Sequence, residues 1–65
     1  MENNKKPKVK LIGQDGNVFN LIGICSRALK NAGQKEKAKE MSEMIFKCGS
    51  YSEALTIMMD YCDVE

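Results

Sequence analysis

The chain has 65 residues, with ten Lys and Arg against nine Asp and Glu for a net charge of +1, three cysteines and no histidine. A chain of this length forms one small domain that buries only about 60% of its unfolded surface, so its own core is marginal. The composition excludes a broad basic footprint for nucleic acid, a zinc site of paired cysteines or Cys/His clusters, and a secreted framework, which needs an even cysteine count. Cys25, Cys48 and Cys62 read instead as free, mostly buried thiols of a reducing compartment. No apolar run approaches the roughly 18 residues of a membrane span, and no apolar signal segment follows the charged start, so a soluble, cytoplasmic protein is expected.

Residues 1–7 are polar, charged and end at Pro7, the composition of a disordered basic tail that folding does not need. Lys5, Lys6, Lys8 and Lys10 against Glu2 give the first ten residues +3 and leave −2 for the remainder. The domain proper is expected over 8–65. Val9-Lys10-Leu11-Ile12 reads as a strand, with Lys8 and Lys10 on a wet face that discourages edge pairing.

The stretch Gly13 to Phe19 turns this strand into everything helical that follows. Asp15-Gly16 is a turn signal, Gly13 and Gly16 can adopt positive φ, and Asn17 is a preferred helix N-cap. A glycine-bearing loop at a helix N-terminus can also hold an anion. The stretch is neither GxGxxG nor GxxxxGK[ST], and Asp15 sets a negative charge where a phosphate would sit. A plain connection is therefore expected.

From Asn17 to Ala32, Val18, Leu21, Ile22, Cys25, Ala28, Leu29 and Ala32 recur at helical spacing and define helix one. Phe19 and Ile24 widen that face beyond the roughly 100° stripe that a single neighbour covers. Gly23 within the helix suggests a close approach of another element, and Gly33 is a good C′ residue. Helix two, Gln34 to Cys48, sets Ala38, Met41, Met44, Ile45 and Cys48 opposite a solvated face of Glu36, Lys39, Glu40, Glu43 and Lys47. Phe46 falls off that stripe and is a candidate for packing on the third helix or on a partner.

Gly49 is expected to close helix two. Ser50 with Glu53 three residues later is a capping box that opens helix three, whose stripe is Tyr51, Ala54, Leu55, Met58, Tyr61 and Cys62. Met41, Met44, Met58 and Met59 read as gap-fillers of a small core rather than as an adaptable binding surface. Asp63-Val64-Glu65 can add a terminal strand beside residues 9–12, since an isolated strand leaves its backbone unpaired. The expected fold is mostly α: a short N-terminal strand, three helices and a short C-terminal strand pairing with the first, βαααβ.

Leu11-Ile12-Gly13, Asp15-Gly16-Asn17 with Phe19, then Gly23, Ala28-Leu29, Ala32-Gly33, and finally Gly49, Tyr51 and Leu55 span nearly the whole chain. In these residues it resembles a family of short phage and mobile-element proteins marked by an L-I-G-x-D-G-N-x-F motif. The later motif of that family is Gly-Asp-Tyr-Asp, where this chain has Gly49-Ser50-Tyr51-Ser52. Two acidic residues are thus missing, and no role of those carboxylates carries over. The resemblance implies a mobile-element origin and cytoplasmic residence, and no activity.

An enzyme is not expected. No histidine is present for acid–base work, and Cys25 lies in an apolar stripe that leaves a thiol inert. The leading expectation is a small protein-interaction module, as an inhibitor of a host or phage protein in its sharpest form, working as a homodimer with helix one and the off-stripe aromatics at the joint. The alternative is capture of a small anionic ligand such as a nucleotide by the Gly16 and Asn17 amides, assisted by Arg27 or Lys30 of a neighbouring subunit. Weak nucleic-acid binding through the lysine tail comes third. The candidate binding residues are Asp15, Gly16, Asn17, Phe19, Ile24, Arg27 and Lys30, and the candidate caps are Asn17, Gly33, Gly49, Ser50 and Glu53. Neither a cofactor nor a metal is expected.

Overall fold

Five elements follow one another in the computed structural model, which describes residues 5–65: β1 (Lys8–Val9), α1 (Val18–Asn31), α2 (Lys35–Lys47), α3 (Tyr51–Tyr61) and β2 (Asp63–Val64). This is the expected βαααβ order, with β1 and β2 in a parallel ladder. The first four residues of the expected tail lie outside the described part. The next three are held on the domain: the Lys5 carbonyl accepts from Gln34 Nε2 at 2.9 Å, the Lys6 ammonium donates to the Met59 carbonyl, and the Pro7 carbonyl accepts from the Asp63 amide.

The ladder sits earlier than the 9–12 strand read from the sequence, with Lys8 opposite Asp63 and Val9 opposite Val64. Leu11 and Ile12 do not continue it. Their amides converge on the Glu65 carbonyl at 3.0 and 3.4 Å, and the Gln14 amide returns to the Leu11 carbonyl, so the chain is already turning. Gly13 makes that turn at φ +86°, whereas Gly16, equally able to adopt positive φ, does not. Val9 is consequently buried, while Ile12 is left 74% exposed.

Asn17 caps α1 as expected, its Oδ1 accepting from the Phe19 amide at 2.8 Å. The helix ends at Gly33 with φ +77°, where the Gln34 amide reaches the Leu29 carbonyl and the Gly33 amide that of Lys30. That pair of bonds is the Schellman arrangement, which needs the left-handed residue glycine supplies. Ser50 caps α3 by accepting from the Glu53 amide. The return arm of the box differs from the usual one, because Glu53 Oε1 accepts from the amide of Gly49 and from Ser50 Oγ. Gly49 therefore belongs to the start of α3 and not to the end of α2. That helix stops where Cys48 turns extended, at φ −77° and ψ 162°.

The core gathers Leu21, Ile22, Cys25 and Leu29 of α1, Ala38, Met41 and Ile45 of α2, and Ala54 and Met58 of α3, with Val9 and Cys62 at the ladder end. Ile24, expected to widen an exposed face, is half-buried against this core. Met41 and Met58 fill it, while Met44 and Met59 lie at the surface, so two of these four methionines are gap-fillers. Gly23 marks no close approach: a Cβ there would find no atom within 4 Å.

Candidate interaction surface

Phe19, near the start of α1, and Phe46, near the end of α2, meet with ring centroids 6.4 Å apart and planes tilted by 39°. Phe46 thus meets an aromatic ring of α1. Both rings remain open to solvent, at 68% and 66% exposure, and form the wall of a groove of about 270 Å3. Val18, Ile22, Ile45 and Ala54 line it beneath them, and Cys48, Ser50 and Tyr51 complete it, so none of its lining residues carries a formal charge.

Tyr51 stands on the far side of this groove. Its hydroxyl donates to the Gly16 carbonyl at 2.5 Å and ties the first residue of α3 to the loop before α1. A second groove, of about 420 Å3, opens on its other side between Leu11, Ile12, Leu21, Leu55, Met59 and Val64, with Glu65 as its one charged lining residue. Tyr51 lines both, so the two grooves form one apolar surface with a tyrosine ridge.

The loop singled out in the sequence is satisfied from within. Asp15 Oδ1 accepts from the Asn17 amide at 3.1 Å, Asn17 Oδ1 accepts from the Phe19 amide, and the Asp15 carbonyl accepts from Asn20 Nδ2. Two of the amides that an anion would use are therefore already engaged, one of them by a carboxylate that repels it. Arg27 and Lys30 are exposed on α1, ten or more residues beyond Asn17. At about 1.5 Å of rise per residue they lie roughly 15 Å or more along the axis, too far to join the loop within one chain. Lys30 instead edges a polar hollow between α1 and α2, beside Ser26, Lys35, Lys39 and Ser42.

Of the seven candidate residues, the structure places Phe19 and Gly16 on the grooved surface, sets Asp15 and Asn17 in a capping network, packs Ile24 inward, and leaves Arg27 and Lys30 elsewhere. Ile12, Tyr51 and Met59 belong to the surface without having been candidates there, and Phe46, outside the seven, was singled out for packing on the third helix or a partner. Phe46 had a signal. Phe19 lies 14 residues before Gly33 and Phe46 lies 13 after it, so a helical hairpin hinged at Gly33 brings the two rings level.

The thiols have no part in this surface chemistry, apart from Cys48 at the groove's margin. Burial, with Cys62 beside it, pushes Cys25 from an ordinary 9.0 up to about 12, and burial also raises Cys62, whose thiol points at the Cys25 carbonyl. Both stay protonated and unreactive near neutral pH. Tyr61 is pushed up to about 12 chiefly by its hydrogen bond to Glu40, at 2.7 Å, which links α3 to α2. Among the described residues no cluster of three or more His, Cys, Asp or Glu could hold a metal ion, and no helix is long and apolar enough to cross a membrane. Comparison with protein-family models, curated proteins and solved structures finds no match to this chain.

Proposed function

We propose that the protein is a small protein-interaction module of the phage or mobile-element kind suggested by its Leu11-to-Phe19 motif. It docks on a host or phage protein through the apolar surface on either side of Tyr51, and inhibits that protein where the surface it covers is an active one. One observation carries this reading: Ile12, Phe19, Phe46, Tyr51 and Met59 are all exposed and border two adjoining grooves. Aromatic residues and methionine are the side chains enriched where proteins meet, and contiguous exposed apolar surface marks such sites. The alternatives draw less support. The Asn17 amide, one of the two that nucleotide capture would use, is engaged by Asp15 within the chain, and Lys6 of the lysine arm donates to a backbone carbonyl of α3. Nothing in the proposed role calls for catalysis.

The test is photo-crosslinking in host cells with a benzophenone amino acid at Met59 or Ile12, against the same group at Lys37, an exposed α2 position outside both grooves. A discrete adduct with another protein is expected from the groove positions only. Adducts of only twice the chain's 7.3 kDa mass, or equal labelling from Lys37, would overturn the reading.

A further inference from the structure

We infer that the first groove seats a second copy of this chain, in a two-fold dimer where the Phe19–Phe46 pair of each copy fills the hollow of the other. The inference rests on reading this face as an interaction surface, and it names the occupant of one half. Knob and hollow lie on one patch, since the two rings stand on the margin of the groove floored by Ile22, Ile45 and Ala54. An isologous contact requires that, because the same patch serves both partners.

The charge distribution points the same way. A two-fold axis sets every residue near it opposite its own copy, so any charge there meets a like charge. The lining of this groove is wholly uncharged in a chain of which 29% of residues are charged, while the second groove includes Glu65. Size adds a third argument. At about 270 Å3 the groove has room for inserted side chains. A specific interface takes about 800 Å2 from each partner. That is close to one-sixth of this chain's 4595 Å2, a share that would add substantially to a core of eleven buried apolar residues. The second groove is left free for a different protein.

Light scattering and melting of the full chain over micromolar to millimolar concentrations, with Phe19→Lys, Phe46→Lys and Met59→Lys beside the parent, test the assignment. The parent should have twice the monomer mass and a melting temperature that rises with concentration. Phe19→Lys and Phe46→Lys should have the monomer mass, an unchanged circular dichroism spectrum and concentration-independent melting, whereas Met59→Lys should stay dimeric. A parent mass of 7.3 kDa throughout would overturn the dimer, and a doubled mass in both Phe variants would overturn its placement. Should the Phe variants not fold, isotope-filtered NOEs in a mixture of labelled and unlabelled parent decide, by the presence or absence of contacts between copies at the two rings. A parent that stays monomeric throughout, together with a foreign adduct at Met59, would remove this inference and leave the proposed function standing.

Discussion

Replacing Asn17 or Ser50 by alanine removes a single side-chain acceptor at a helix start and leaves the packing untouched. At Asn17 the lost bond is short, 2.8 Å to the Phe19 amide, but the site is exposed and water takes over part of it. At Ser50 two contacts to Glu53 go, from its amide at 3.2 Å and to its carboxylate at 3.4 Å, and Glu53 keeps only the Gly49 amide. Each substitution should remove about 1 kcal/mol. At roughly 0.05–0.15 kcal/mol per residue the whole chain has about 3–10 kcal/mol of stability, so one cap is a sizeable share. With a denaturant slope of about 1 kcal/mol per molar urea, each alanine variant should unfold about 1 M earlier. In a thermal scan each should melt about 4–8 °C lower. Glycine at the same positions is the control, since a cap residue replaced by glycine loses only a few tenths of a kcal/mol. Urea titration followed by far-UV circular dichroism at one fixed protein concentration reads all four variants. Unchanged midpoints, or equal losses for alanine and glycine, would refute the capping assignment.

Stability should also depend on alkaline pH in a definite direction. Folded Cys25 keeps its proton to about 12 and Cys62 is raised likewise, while the unfolded chain releases both near 9. Stability is therefore fully present below about pH 9 and falls above it by up to about 1.4 kcal/mol per pH unit for each thiol. Urea midpoints taken from neutral pH to about 10 should show this break, and Cys25→Ala should make the decline shallower; an undiminished slope counts against it. The two glycines should respond oppositely: Gly13→Ala, at φ +86°, should lose about 1 kcal/mol or more, whereas Gly23→Ala, on an open helix face, should gain about 0.5–1 kcal/mol. Melting temperatures that move together would contradict that assignment. Removing residues 1–7 should lower the melting temperature more than removing residues 1–4, because Gln34, only 8% exposed, then loses its Lys5 acceptor and Asp63 its Pro7 acceptor. Equal melting of the two truncations would show those contacts to be without consequence.

What could be read from the sequence is what local chemistry decides. Asn17, Gly33 and the Ser50–Glu53 pair act on backbone groups a few residues away, so their roles follow from residue type and spacing alone. The apolar stripes likewise named most of the core, from Leu21 to Met58. Of the contacts over long separations, the pairing of the two terminal strands was legible, though not its register, and the side-chain contacts were not. That Tyr51 reaches the Gly16 carbonyl depends on how α3 crosses the loop, 35 residues away in sequence. Gly13 and Gly16 are alike locally, and only the convergence of the Leu11 and Ile12 amides on Glu65 decides which takes positive φ. Ile24 and Phe19 looked equivalent as wideners of one helix face. Packing sent Ile24 against the core, while Phe46 joined Phe19 at the surface.

The parallel ladder has a consequence for the order in which the molecule forms. Lys8 and Asp63 are 55 residues apart, and closing a flexible loop of that length opposes pairing by about 3.5 kcal/mol plus a constant. Two rungs of backbone bonding cannot offset this in an unfolded chain. Only after α1, α2 and α3 have packed, and drawn Pro7 and Cys62 near each other, does the pairing become favourable. The ladder is then expected to form late, after the rate-limiting transition state, with φ-values near zero. Weakening it should leave the folding rate almost unchanged and hasten unfolding. β1 and β2 thus govern how long the native state lasts more than how fast it is reached.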